Sequence, residues 1–184
     1  MGYAIIKRIY SLLGIHTFLQ NKQKHLTVGY NLNRIFSLLV YNRFLFPSSK
    51  KKAFETRHTF FESYDFTLDD VYRSLDDFAR YSEALQKHLH EQVCRLIGRD
   101  GKSGYYDVTN YYFEIPYNDE DEYDEEGKLR KKGFRKKEPS KEHRPNPIVQ
   151  MGLLMDSNRI PMAFDLFAGG GKARRHPFFP SYAE

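Results

Sequence analysis

Tyr105-Tyr106-Asp107-Val108-Thr109-Asn110-Tyr111-Tyr112-Phe113-Glu114 is the stretch on which the fold turns. It is crowded with β-branched and aromatic side chains, which suit the pleated surface of a strand. Large apolar side chains fall on both alternating faces, so the pattern predicts an internal strand covered on both sides. Asp107 places a carboxylate in its interior. A buried charge is costly unless it is paired or binds a metal. The alternative is an Asp at a strand end, bonded to nearby backbone. Downstream, residues 148–155 and 161–167 read as two further strands. Asp156-Ser157-Asn158 forms the turn between them.

Upstream the period changes from two to nearly four. Ile35, Leu38, Leu39 and residues 41–45 make an apolar helical stretch that Pro47 ends, with Ser48 and Ser49 in the loop. Thr67 precedes Asp70 by three residues, the spacing of a capping box. Val71, Leu75, Phe78, Leu85, Leu89, Val93 and Leu96 then follow at helical steps, with a break expected near residues 80–82. Gly98, Gly101 and Gly104 end the helical region. The reading is α+β: a helical module over residues 1–104, then a three-stranded antiparallel region over 105–167. Residues 118–137 form a charged excursion, and 168–184 a Gly-, Pro- and Arg-containing tail.

The chain has 184 residues, 40% hydrophobic and 16% aromatic, which excludes a wholly disordered polymer. The net charge of +5 conceals a division along the chain. Residues 1–60 carry ten Lys or Arg against the single acid Glu55, a local charge of +9. Residues 105–127 hold nine acids and no base. Such blocks suit an anionic partner or one another. Lys50, Lys51, Lys52 and Arg57 are the candidate phosphate contacts. The excursion, acidic and then basic, reads as exposed, mobile and open to protease. Cys94 is the only cysteine, so no intrachain disulfide forms and a cytoplasmic location is expected. No run approaches about 20 apolar residues, so no membrane span is expected.

Two apparent motifs fail on chemistry. Gly171-Lys172 resembles the end of a phosphate-binding loop, but Leu166 and Ala173 stand where a Gly and a Ser or Thr belong. His90 and Cys94 share a helical face, yet two ligands do not close a zinc site.

Asp107-Val108-Thr109-Asn110 with Tyr112-Phe113-Glu114 resembles the first catalytic strand of bacterial insertion-sequence transposases, in the group called insertion sequence family four. Lys131-Lys132-Gly133 and Ser140-Lys141-Glu142-His143-Arg144-Pro145 resemble the entry to that family's second strand. Gln150-Met151-Gly152-Leu153-Leu154-Met155-Asp156 and Ile160-Pro161-Met162 resemble its second strand, turn and third strand. The similarity runs from about Arg34 to Phe167, and Arg159 stands where the family's turn has Gly. The resemblance implies an RNase H-like DDE core, truncated here after three strands. It also implies DNA transposition using Mg²⁺, with Asp107 as one catalytic metal ligand. Partners would be insertion-sequence ends, a second copy or a full-length transposase.

The family's second Asp and its Glu lie further along and have no counterpart in this chain. Two-metal phosphoryl transfer needs several carboxylates around ions about 3.5–4 Å apart. Glu114 is about 23 Å along the strand from Asp107 and on its other face. Asp156 reads as a turn former. Asp165, on the third strand, is the remaining carboxylate that an opposed register could bring near Asp107. Asp107 is therefore expected to be a ligand without a complete site, in a chain that binds DNA but does not hold Mg²⁺ stably. The rival expectation is a non-enzymatic DNA-binding regulator of a full-length relative.

Overall fold

The computed structural model describes residues 2–99, 104–137 and 145–169. Gly101, Gly171-Lys172, the 140–144 part of the family-like segment and nearly all of the tail lie outside the described residues. The chain is α+β and divides into two compact units between Gly98 and Arg99.

The first unit holds α1 (Gly2–Leu12), α2 (Ile15–Gln23), α3 (Leu32–Leu45), α4 (Lys50–Glu55), α5 (Leu68–Arg80) and α6 (Ser82–Ile97). Local chemistry sets most of these boundaries. The Asn31 side chain accepts from Arg34 N to start α3, and the Ser49 side chain accepts from Lys52 N to start α4. Thr67 and Asp70 form the expected reciprocal capping box at α5. Phe46 leaves the helical conformation before Pro47, because the proline ring disfavours α geometry in the residue ahead of it. Tyr81 separates α5 from α6 where the break was expected. Gly98, at φ 68°, ends α6.

The core of this unit is aliphatic at its centre, with Leu19, Leu32, Ile35, Leu38 and Val71 almost fully buried. Aromatic rings close around it. Tyr3 and Tyr10 meet Tyr41 edge-on at 5.3 and 5.6 Å, and Phe36 meets Phe78 at 5.0 Å. Each such pair contributes about 0.5–1.5 kcal/mol beyond its buried area. The stripe on α6 fades towards its end, where Leu96 and Ile97 are exposed. Asp77 is buried, and its carboxylate accepts from the Tyr30 hydroxyl at 2.7 Å.

The second unit holds β1 (Tyr105–Tyr112), β2 (Glu122–Tyr123), β3 (Leu129–Lys131), β4 (Ile148–Met155) and β5 (Pro161–Ala168). The three long strands are antiparallel in the order β1-β4-β5, so β4 is central and β1 lies at an edge. This corrects the expectation for β1. Tyr105, Tyr106, Val108 and Tyr111 are exposed, whereas Ile148 and Val149 on β4 are buried. Aromatic density on both faces shows that a strand can be covered, but not which neighbour covers it. Among the described residues, nothing pairs with the outer edge of β1.

The β4–β5 turn is built on Asp156, whose Oδ1 accepts from Asn158 N and Ile160 N, both at 2.9 Å. Arg159 there adopts φ 62°, the left-handed region that favours glycine. That conformation costs a side-chain-bearing residue roughly 1–2 kcal/mol. Arg159→Gly is expected to stabilise the sheet by about 1 kcal/mol, less than the full strain because glycine adds entropy to the unfolded chain. Urea unfolding of the two proteins checks this, and an unchanged or lower midpoint for the variant would refute it.

The charged excursion is largely exposed, as expected, and it carries a hydrogen-bonded structure of its own. β2 and β3 form a hairpin, and its acidic limb is clasped to its basic one. The Asp119 carboxylate accepts from Arg135 N at 2.9 Å and Arg135 Nε at 2.8 Å. Asp121 accepts from Gly133 N at 2.8 Å and Lys136 Nζ at 2.9 Å. A Cβ on Gly133 would collide with the Asp119 carbonyl, so the close crossing requires glycine. Opposite charge lets the two blocks satisfy each other with little apolar burial.

Hydrogen bonds from the Arg135 side chain and backbone hold the Asp119 carboxyl at about 2, below its ordinary value of 3.8. A depressed folded-state value means the clasp contributes stability above the unfolded value and loses it as pH falls through the folded one. The Arg135 Nε–H resonance is therefore expected to stay protected at pH 5 and to lose protection between about pH 4 and 2. Asp119→Ala should expose the Arg135 and Lys136 bonds to trypsin at neutral pH. Equal cutting of wild type and variant there would show that the clasp does not hold.

Candidate functional site

Asp107 is the third residue of β1, exposed, and paired in register with Leu153, which pairs in turn with Phe164. Directly opposed residues share a face. The carboxylate therefore projects from a row whose other members are apolar. This removes both premises of the sequence argument, since Asp107 is neither buried between layers nor at a strand end. A carboxylate left in water needs no compensating ligand.

Asp165 is opposed to Gly152, and Gly152 to Val108, one position out of phase with Asp107. Side chains alternate along a strand, so Asp165 lies on the opposite face. Tyr106 confirms the assignment. Its ring lies across Gly152, where a Cβ would meet it, and burial together with the Asp165 charge pushes its hydroxyl up. Glu114 lies beyond the end of β1, and Asp156 turns its carboxylate into its own turn. Among the described residues, no three His, Cys, Asp or Glu side chains could hold a metal together. Asp107 and its neighbours thus do not fit the Mg²⁺ that the family resemblance implies.

The basic candidates divide on inspection. Lys50, Lys51 and Lys52 occupy the first turn of α4 and are exposed. Lys52 lies 3.9 Å from Glu55, too long and too solvated a pair to neutralise it. Lys50 and Lys51 have no ion-pair partner among the described residues. Arg57 is engaged locally, with its guanidinium 4.0 Å from the Phe54 ring centre and Nη1 donating to Phe54 O at 2.8 Å. It is a less available phosphate contact than its sequence position suggests.

The two histidines of α6 are engaged locally. His90 Nε2 lies 3.6 Å from Cys94 Sγ, and His88 Nε2 meets Leu13 O at 2.9 Å with its ring against Phe18.

Two polar residues carry weight that no spacing disclosed. Arg99 and Asp156 form an ion pair at 3.2 Å, with side chains only 3% and 1% exposed. Arg99 also donates to Ile160 O and Pro161 O, tying the chain just ahead of the sheet to the β4–β5 turn. Asn42, on α3, is 3% exposed, and its Nδ2 has no hydrogen-bond partner among the described residues. The only sequence sign of Arg99 was a charge directly after the helix-ending Gly98. Asn42 gave none, since a polar residue in an apolar helical run reads as a surface position. Comparison with protein-family models, curated proteins and solved structures found no match to this chain.

Proposed function

We propose that the chain carries the helical module and first three core strands of an insertion-sequence DNA transposase, binding DNA without cutting it. The observation that supports this reading best is the placement of Asp107-Val108-Thr109-Asn110. These residues lie on the first of three long antiparallel strands that neighbour one another in chain order, with Asp107 open to solvent in the first. That is the arrangement the resemblance implies for the opening of an RNase H-like core. The uncovered edge and faces of β1 suit a core completed by elements not among the described residues. DNA binding rests on the +9 block and the exposed lysines of α4.

The lone carboxylate favours a second reading of the same chain, a DNA-binding regulator that competes with a full-length transposase for its ends. Both readings share the binding step and differ in origin. The test uses supercoiled plasmid bearing candidate element ends, with Mg²⁺ or Mn²⁺. No nicking is expected from this chain. Nicking that disappears in Asp107→Ala would refute the non-cutting reading. Activity in a version extended by the missing carboxylates, abolished by the same substitution, would support transposase ancestry. Inhibition of a full-length enzyme by this chain would favour the regulator.

A further inference from the structure

We propose that the hollow beside the α3–α4 loop holds one unpaired DNA base, stacked on Phe46, with its phosphate at Lys52. For DNA as the source of that base, the proposal rests on the DNA-binding reading above. The hollow has a volume of about 410 Å³ and is lined by Phe46, Pro47, Ser48, Lys52, Thr56 and Thr59. That is far more than a lone ion needs, and within the range of about 300–1,000 Å³ that takes small organic ligands.

The three hydroxyls on its wall decide what can enter. Ser48 Oγ donates to Asn42 Oδ1, Thr56 Oγ1 to Lys52 O and Thr59 Oγ1 to Thr56 O, each at 2.9 Å. A hydroxyl has one proton and two lone pairs, so with these protons committed the wall offers only acceptors. Ser48 and Thr56 are half-buried and Thr59 is exposed, so the three stay open to a ligand from solvent. A bare oxyanion would face three sets of lone pairs. An apolar side chain would leave them without donors. A planar ring bearing N–H groups meets them.

The aromatic wall is available for stacking. Phe54 is covered by the Arg57 guanidinium, 4.0 Å from its ring centre. Phe18, on a hollow of about 300 Å³ beside α2, lies under Lys22 Nζ at 5.4 Å. Phe46 meets Phe60 at 6.3 Å and a tilt of 58°, is 60% exposed, and has no cation over its ring among the described residues. Lys52 is the one charged residue of the six, held only by the long approach to Glu55. Ring, acceptors and ammonium together match a nucleotide, which has a heteroaromatic face, N–H donors on its edge and an attached anion. The base must be unpaired, because pairing occupies that edge and the duplex stack covers the ring.

The full chain is titrated with two duplexes of one sequence, one fully paired and one carrying a single bulged 2-aminopurine. The bulged duplex is expected to bind about five- to tenfold more tightly, with 2-aminopurine fluorescence quenched as the base stacks. Phe46→Leu keeps an apolar side chain without the ring and should erase both the preference and the quenching. Phe46→Tyr should keep both. Phe44→Leu removes a ring that is 71% exposed outside the hollow and should change neither. Thr59→Val removes one acceptor at an exposed position and should reduce the preference about threefold. If Phe46→Leu fails to fold, quenching by the wild type and its weakening in Thr59→Val carry the test. Equal binding of both duplexes without quenching would overturn the base site and leave the DNA reading standing. Self-association lost in Phe46→Leu, with no quenching in the wild type, would give the hollow to a second copy and overturn the proposal equally.

If the wild-type chain binds neither duplex, the DNA reading falls, and adenosine monophosphate then decides the hollow. Saturable NMR shifts of the Phe46 ring and the Thr59 methyl with this nucleotide, absent with ribose 5-phosphate, would uphold a base site for free nucleotides. No shift would overturn it.

Discussion

Arg99→Ala is expected to destabilise the sheet unit by about 3–5 kcal/mol, the cost of leaving a buried charge without its partner. The Asp156 carboxylate is 1% exposed and would face that loss with only the two amides of its own turn on Oδ1. The 3.2 Å approach of Arg99 Nη1 to Asp156 Oδ2 is not aligned as a hydrogen bond, and Oδ2 has no hydrogen-bond partner among the described residues. The attraction is therefore Coulombic and strengthened by burial. Asp156→Asn should be costly for the complementary reason, because it strands the guanidinium. Breaking the pair twice should cost much less than the sum of the single changes, since the double variant leaves neither charge uncompensated. Hydrogen exchange at the β4 and β5 amides during denaturant titration reads the sheet directly and avoids assuming that both units unfold together. A loss below about 1 kcal/mol in Arg99→Ala, typical of exposed pairs, would show that the bridge is solvated.

DNA binding by the full chain is expected to fall roughly 500-fold between about 50 and 200 mM salt, the response of a protein that neutralises about five phosphates. The number follows from how the ten cations of residues 1–60 are employed. Lys7 pairs with Glu62 at 2.9 Å, and Lys22 lies over the Phe18 and Tyr81 rings. Lys24 bonds Asn21, Arg34 bonds Ser63 O, and Arg57 stacks on Phe54. Arg8, Arg43, Lys50, Lys51 and Lys52 remain exposed, with only the long Lys52–Glu55 pair among them. Changing Lys50, Lys51 and Lys52 together to Ala should therefore lower the salt slope by between two and three and weaken binding at 100 mM salt by about two orders of magnitude. Fluorescence anisotropy with duplexes of unrelated sequence measures both quantities. Binding that ignores salt, or survives the triple substitution unchanged, would remove the electrostatic basis of the proposed function.

Local order was legible in the sequence wherever neighbours in the chain decide it. Thr67 and Asp70 cap a helix through atoms three residues apart, Pro47 acts on Phe46, and Asp156 folds a turn from amides two and four residues away. The break at Tyr81 and the glycine end of α6 belong to the same class.

What the tertiary structure alone decided depends on groups distant in sequence. β-Branched and aromatic density marked β1 as a strand, but its edge position depends on β4 lying between β1 and β5. The faces of Asp107 and Asp165 depend on a register shared by three strands, in which one residue of offset moves a carboxylate to the other side. Opposite charge blocks could be read from the chain, but whether they repel into solvent or clasp depends on the hairpin that aligns Asp119 with Arg135. Arg99 and Asp156 owe their importance to burial. Burial is set by the whole packed chain, and no local pattern encodes it.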